Sequence, residues 1–161
     1  MASRHPEWSL GAGQVVLDAL PEHELLVLPA LQALHHAFGF VPAEGVRLVA
    51  SFINVSVAET HGVLSFYREL RTAAPAAVTV SLCTAEACQA SGARALVDEV
   101  AKVLAPVGGR SADGEVEVVE VFCLGNCALG PAALVNERLL GRVVLASLSR
   151  AVDAARREVN E

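Results

Sequence analysis

The residues of this chain best suited to chemistry are its four cysteines, which fall into two pairs. Cys83 and Cys88 are separated by four residues, Cys123 and Cys127 by three. Each pair starts where an apolar stretch ends, just after Leu82 and just after Phe122. The intervening residues, Thr84-Ala85-Glu86-Ala87 and Leu124-Gly125-Asn126, are small enough for backbone amides to turn toward the sulfurs. An iron–sulfur cluster needs such a setting: four thiolates, amide donors toward the sulfides and an apolar rim. Structural zinc takes the same ligand type, with two to four intervening residues and most often two. A dithiol redox catalyst would use two intervening residues, which neither pair has. Spacing alone therefore leaves iron–sulfur and zinc open. Within the first, pairing by twos suits a diamond of two irons, and a four-iron cube also stays open.

These thiols must be held by a core, and composition indicates one. The chain has 161 residues, 53% of them hydrophobic, and a formal net charge of −6. That length suits one domain, or one domain with a small helical appendage, and needs no disulfide staples. The acidic balance argues against binding a nucleic-acid backbone. No apolar run reaches the roughly 18 residues of a membrane span, and the first residues lack a secretory apolar segment. The expectation is a cytoplasmic globular protein, where paired thiols are more often metal ligands than disulfides.

The pattern of apolar residues divides the chain. Residues 1–20 carry scattered glycines and read as a surface-hugging arm, with Gly11-Ala12-Gly13 a flexible turn and Trp8 an exposed anchor for a partner. A helix is predicted from about Leu26–Leu28, with Pro29 in its first turn, Leu31, Leu34 and Phe38 on one face, and Gly39 as its stop. Pro42 opens a second helix carrying Val46, Val49 and Ile53. Ser56 and Glu59 form a capping box for a third, whose inner face includes Val63, Phe66 and Leu70. Residues 1–72 thus read as an arm and a small helical bundle. Beyond Pro75 the period changes. Val78–Leu82 alternates as a strand, and a helix follows from about Ser91 with Leu96, Val100, Val103 and Leu104 buried. Glu115–Phe122 is a second strand whose alternation changes phase at Val118-Val119, indicating a bulge or burial on both faces. Ala133–Val135 and Leu139–Val143 flank a short hairpin turn, Asn136-Glu137-Arg138. A last helix from about Ala146 turns Leu148, Val152, Ala155 and Val159 inward. Residues 77–161 read β-α-β-β-β-α. If the first two strands are neighbours, both cysteine loops leave the same end of the sheet.

Two segments carry a family resemblance: Leu82-Cys83-Thr-Ala-Glu-Ala-Cys88-Gln-Ala-Ser-Gly92, and Val121-Phe-Cys123-Leu-Gly-Asn-Cys127-Ala-Leu-Gly-Pro131-Ala-Ala-Leu-Val135. They resemble the thioredoxin-like [2Fe–2S] proteins, which include the small iron–sulfur subunit in the NADH-oxidising arm of respiratory complex I. Helical signatures at residues 28–42 and 61–67 match as well, so the resemblance covers about residues 22–150. It implies an α/β fold, with a helical N-terminal bundle followed by a thioredoxin-like domain. Carried over position by position, it implies Cys83, Cys88, Cys123 and Cys127 as cluster ligands. Pro131 resembles the proline that is cis in thioredoxin-type folds. Ala85-Glu86-Ala87-Cys88-Gln89-Ala90 and Gly130-Pro131-Ala132-Ala133 most resemble the gamma subunit of NAD-dependent formate dehydrogenases. Complex I and NAD-reducing hydrogenases supply the alternatives. In each case FMN and NAD are implied on a diaphorase partner, here with a catalytic formate dehydrogenase subunit beyond it. This chain has no nucleotide loop of its own and is expected to have no catalytic site. All-thiolate ligation implies a low potential, nearer roughly −400 mV than the Rieske range, and Glu86, Glu120 and the net charge would lower it further. A zinc-stabilised interaction module is the rival from another class.

The remaining polar residues have plainer readings. His61 is expected to pack through a hydrogen bond, and His35 and His36 to point to different faces, one of them solvated. Arg150, Arg156 and Arg157 read as a solvated helix face.

Overall fold

The computed structural model describes residues 5–160, so the first four residues of the expected arm lie outside the described chain. The described residues form two compact units, His5–Pro75 and a second starting at Ala76.

The first unit is helical: α1 (Leu10–Asp18), a single 3-10 turn (Glu22–Glu24), α2 (Val27–Phe38), α3 (Ala43–Ile53) and α4 (Val57–Phe66). Its core gathers Leu17, Leu31, Leu34, Phe38, Val41, Val49 and Leu64, all buried. Pro29 sits in the first turn of α2, where a missing N–H costs nothing. Gly39 closes the helix in the left-handed conformation, φ +77°. At α4 the Ser56 hydroxyl accepts from the Glu59 N–H, and the Glu59 carboxylate accepts from the Ser56 N–H. The capping box is therefore complete.

Several expectations for this unit are overturned. The expected surface-hugging arm is a packed helix over residues 10–18, started by the Ser9 side chain accepting from the Ala12 N–H, with Leu17 and Gly13 buried. Gly13 is part of α1 and no flexible turn; a Cβ there would lie 2.6 Å from the Trp8 ring. Trp8 stacks edge-on against Phe38 with ring centroids 5.0 Å apart, and its indole N–H donates to Glu44. It belongs to the core rather than to an exposed anchor. Phe66, expected inside, is 77% exposed, while Leu64 and Thr60 take the inner face of α4. That helix is apolar on several sides, so periodicity does not single out its buried face.

The second unit runs β1 (Val78–Cys83), α5 (Glu86–Ala90), α6 (Ala93–Val103), β2 (Val116–Val121), β3 (Ala133–Val135), β4 (Arg138–Leu140) and α7 (Leu145–Asn160). The sheet order is β2-β1-β3-β4. β1 and β2 are parallel with Cys83 opposite Val121, and β3 is antiparallel to both β1 and β4. Val78, Val80, Val100, Val116, Val118 and Leu148 build the core. The phase change in β2 reflects burial on both faces: Val116, Glu117 and Val118 are all buried. Glu117 is neutralised there by the Arg110 guanidinium at 3.4 Å and accepts from the Thr79 hydroxyl. Val103 is 60% exposed, not buried as expected, because α6 ends there. The hairpin turn is tighter than expected. Arg138 already pairs with Val135, and the strand stops at Leu140 rather than Val143. Asn136, at φ +52°, receives the Thr79 N–H on its side chain and donates its own N–H to the Thr79 carbonyl. The helix expected from about Ser91 is α6, and a short helix not expected from the sequence, α5, precedes it, the two separated at Gly92 with φ +100°.

Candidate metal centre

Both cysteine pairs stand at one end of the parallel β1–β2 pair. Cys83 is the last residue of β1, and Cys123 lies two positions past the end of β2. Cys88 is in the middle of α5, and Cys127 opens a 3-10 turn, Cys127–Leu129. Cys83 and Cys88 are buried, with Ala93 and Ala132 around them, whereas Cys123 and Cys127 are exposed.

The four sulfurs interact as one group. Burial disfavours the Cys83 thiolate, but donation from the Ala85 N–H, the Cys88 thiol and the Leu124 N–H outweighs it and lowers the pKa. Cys88 is pushed up, first by burial and then by its hydrogen bond and charge coupling to Cys83, with a further push from Cys127. Cys127 is pushed up chiefly by the charge of Cys123 and its hydrogen bond to it, and also by Cys83. Like charges near one another raise each other's pKa, so the sulfurs of the two loops act on one another. Backbone amides face the sulfurs from both loops: Ala85 and Leu124 toward Cys83, Ala132 toward Cys88, and Gly125 toward Cys123 at 3.3 Å.

The loops are tied down from outside. The Thr84 hydroxyl donates to Glu120 at 2.6 Å, the Thr84 N–H donates to the Val121 carbonyl, and the Gln89 amide caps the Thr84 carbonyl. Gly125 adopts φ +72°, as a loop wrapping a metal group requires. Gly130 does not share that role. Its φ is −65°, and a Cβ there would press within 3.1 Å of the Ser91 hydroxyl. The Gly130–Pro131 bond is cis. Thr84, Gln89, Asn126 and Ala132 were not legible as site residues. Thr84, Gln89 and Asn126 are marked only by adjoining a cysteine, and Ala132 by nothing local.

Among the described residues, no three His, Cys, Asp or Glu side chains converge to hold a single metal ion. The donor set, its pairing and the inward amides fit a two-iron diamond.

Residues 14–156 match the thioredoxin-like [2Fe–2S] ferredoxin family. The chain belongs to this family. Its cofactor is accordingly a [2Fe–2S] cluster, and the match extends into α1 and α7, beyond the segments that carry the resemblance in sequence. As a thioredoxin-like ferredoxin it is 30% identical over 128 residues to the NADP-reducing hydrogenase subunit HndA of Solidesulfovibrio fructosivorans, covering 79% of this chain and 75% of that subunit. It is 24% identical over 122 residues to an NADH-quinone oxidoreductase subunit of Aquifex aeolicus, covering 75% and 76% respectively. A crystal structure of an NAD+-reducing [NiFe]-hydrogenase in its H2-reduced state superposes with a TM-score of 0.67 at 25% identity over 79% of this chain. This chain corresponds to only 22% of that chain's length. Among the described residues no helix is long and apolar enough to cross a membrane.

The histidines are not part of the quartet. His61 is exposed on α4 instead of packed, and His36 is exposed on α2. His35 is half-buried there, its pKa lowered by burial and by the Arg71 charge.

Proposed function

We propose that this chain is the electron-transfer subunit of a flavin-dependent, NAD-linked oxidoreductase, working in the cytoplasm. Cys83, Cys88, Cys123 and Cys127 would hold the [2Fe–2S] cluster, within a functional domain at residues 77–161. Residues 1–72 would form a separate module facing a partner. The observation that carries the reading is that both cysteine pairs stand at one end of the parallel β1–β2 pair, with backbone amides turned toward the sulfurs. The bound cluster supplies exchange of one electron at a time. The chain's own part is to hold and orient it. Buried Cys83 and Cys88 keep water from one side, the amides stabilise negative charge on sulfur, and exposed Cys123 and Cys127 bring the other side to the surface. Nothing in this division of labour requires a catalytic side chain here. FMN and NAD would sit on a diaphorase partner.

For the parent enzyme, the loop residues Ala85–Ala90 and Gly130–Ala133 support the gamma subunit of an NAD-dependent formate dehydrogenase, with a catalytic formate dehydrogenase subunit as the further partner. The hydrogenase reading is the second, favoured by the 30% identity to the NADP-reducing hydrogenase subunit. Purification of the tagged chain from its native cells under anaerobic conditions tests both levels. A brown sample with two irons per chain and a one-electron reducible spectrum is expected, together with a flavin subunit that reduces the cluster from NADH. Reduction by formate in the intact assembly identifies the formate enzyme, and reduction by hydrogen overturns it in favour of the second reading. A colourless, zinc-loaded chain overturns the electron-transfer reading altogether.

A further inference from the structure

Gly141 lies one residue past β4, where the chain turns back toward α7. A Cβ added there would stand 2.7 Å from the Leu129 Cβ, 2.9 Å from Asn126 Nδ2 and 3.1 Å from the Leu129 carbonyl oxygen. These neighbours bracket Cys127: Asn126 precedes it, and Leu129 closes its 3-10 turn. The Asn126 amide is a side-chain tip and could swing away. The Leu129 Cβ and carbonyl are fixed to the main chain and could move only with the turn itself. Gly141 has no positive φ, so what it supplies is space.

The next two residues tie the same segment. The Arg142 N–H donates to the Leu129 carbonyl at 2.6 Å, and the Val143 N–H donates to the Pro131 carbonyl at 2.9 Å. Residues 141–143 therefore form a backbone strap pressed on the Cys127 turn. Gly130, at the end of that turn, packs against Ser91, which follows the helix bearing Cys88. The turn is thus clamped at two points: at Gly141 the contact excludes even a methyl group, and at Gly130 a methyl would press Ser91 by a few tenths of an ångström.

We propose that Gly141 is a positioning residue for the cluster: by letting the 141–143 strap close on the 127–131 turn, it sets the Cys127 sulfur relative to its three partners. This rests on the reading of Cys127 as a ligand. Replacing Gly141 by Ala would push the turn outward by several tenths of an ångström and alter the ligand geometry of the outer iron.

The test uses the full-length chain with its cluster, comparing wild type, Gly141→Ala, and Gly141→Ala combined with Leu129→Gly. Gly141→Ala is expected to keep its far-UV circular dichroism and to expose the Arg142 and Val143 amides to faster hydrogen exchange. It is also expected to shift the EPR g values of the reduced cluster and to release iron to a chelator several-fold faster. The second substitution removes the Cβ met at 2.7 Å, so it is expected to return the g values toward wild type, which general loosening would not do. Faster exchange with an unchanged EPR spectrum and iron release overturns the proposal. So does a double variant that stays altered, or that fails to fold where the single variant also fails. Cys127→Ser is the separate control: if it leaves the wild-type spectrum unaltered, the ligand reading itself has failed, whatever Gly141 does.

Discussion

In the buried cysteine pair the first sulfur is the better anion. Cys83 collects amide N–H donors and the Cys88 thiol, while Cys88 and Cys127 are pushed toward the neutral form by burial or by neighbouring sulfur charge. With the proposed quartet as ligands all four would be thiolates, so cluster assembly would release the protons held by Cys88 and Cys127. The outer pair is exposed and contributes little to packing. Cys123→Ser is therefore expected to leave the far-UV circular dichroism unchanged while abolishing or altering the visible absorption of the loaded chain, with iron per chain measured in parallel. An unchanged spectrum in that variant would remove Cys123 from the ligand set. At this scale the sequence was most informative. Four thiols, two spacings and the small residues between them carry the chemistry. The amides that face the sulfurs were legible only as a possibility, because a backbone N–H has no sequence signature of its own.

Among the elements, helix ends were readable and buried faces less so. Pro29, Gly39 and the Ser56–Glu59 box act through local backbone geometry, which a few adjacent residues decide. Which side of α4 is buried depends on what lies against it, and Val57, Val63, Leu64 and Phe66 offer apolar surface in several directions. The α1 helix shows the same dependence. Its glycines suggest a turn, yet Gly13 lets Trp8 lie against the helix. Gly13→Val would drive the ring off its seat on Phe38, at a cost of about 1–3 kcal/mol for an overpacked contact. Trp8 is the sole tryptophan of the chain, so its fluorescence emission reports the event directly. A red shift with a lower denaturation midpoint is expected. An unmoved emission maximum would mean that Trp8 keeps its packing without the glycine.

Over the whole molecule, charge decides the response to pH. Asp113 sits below its ordinary pKa, held there first by the Ser111 hydroxyl, then by the Glu115 N–H and the Arg156 guanidinium. Arg156 joins Asp113 at 3.0 Å and Glu115 at 3.4 Å, so α7 is pinned to the loop before β2. This corrects the reading of Arg156 as merely solvated. Arg150 and Arg157 remain exposed on α7. A carboxyl with a depressed folded pKa stabilises the fold above its unfolded value, near pH 4, and loses that contribution as the pH falls through the folded value. Asp113→Asn is expected to lower stability at pH 7 slightly and to flatten the loss between pH 4 and 2. Urea midpoints across that range check it. A variant with the wild-type acid profile would show that this cluster does not contribute.

The sequence by itself determined the two cysteine pairs proposed as ligands, the change from helical to strand periodicity near Pro75, and the family. Each rests on residue type and near-neighbour spacing, which any chain carries before it folds. Tertiary structure alone decided that β1 and β2 lie side by side and bring both loops to one sheet end. It also decided that Cys83 and Cys88 are buried while Cys123 and Cys127 are exposed, and that Gly141 allows a close approach that a Cβ would block. Those features are distances between segments far apart in the chain, and such distances are set only when the cores close and side chains compete for the same space.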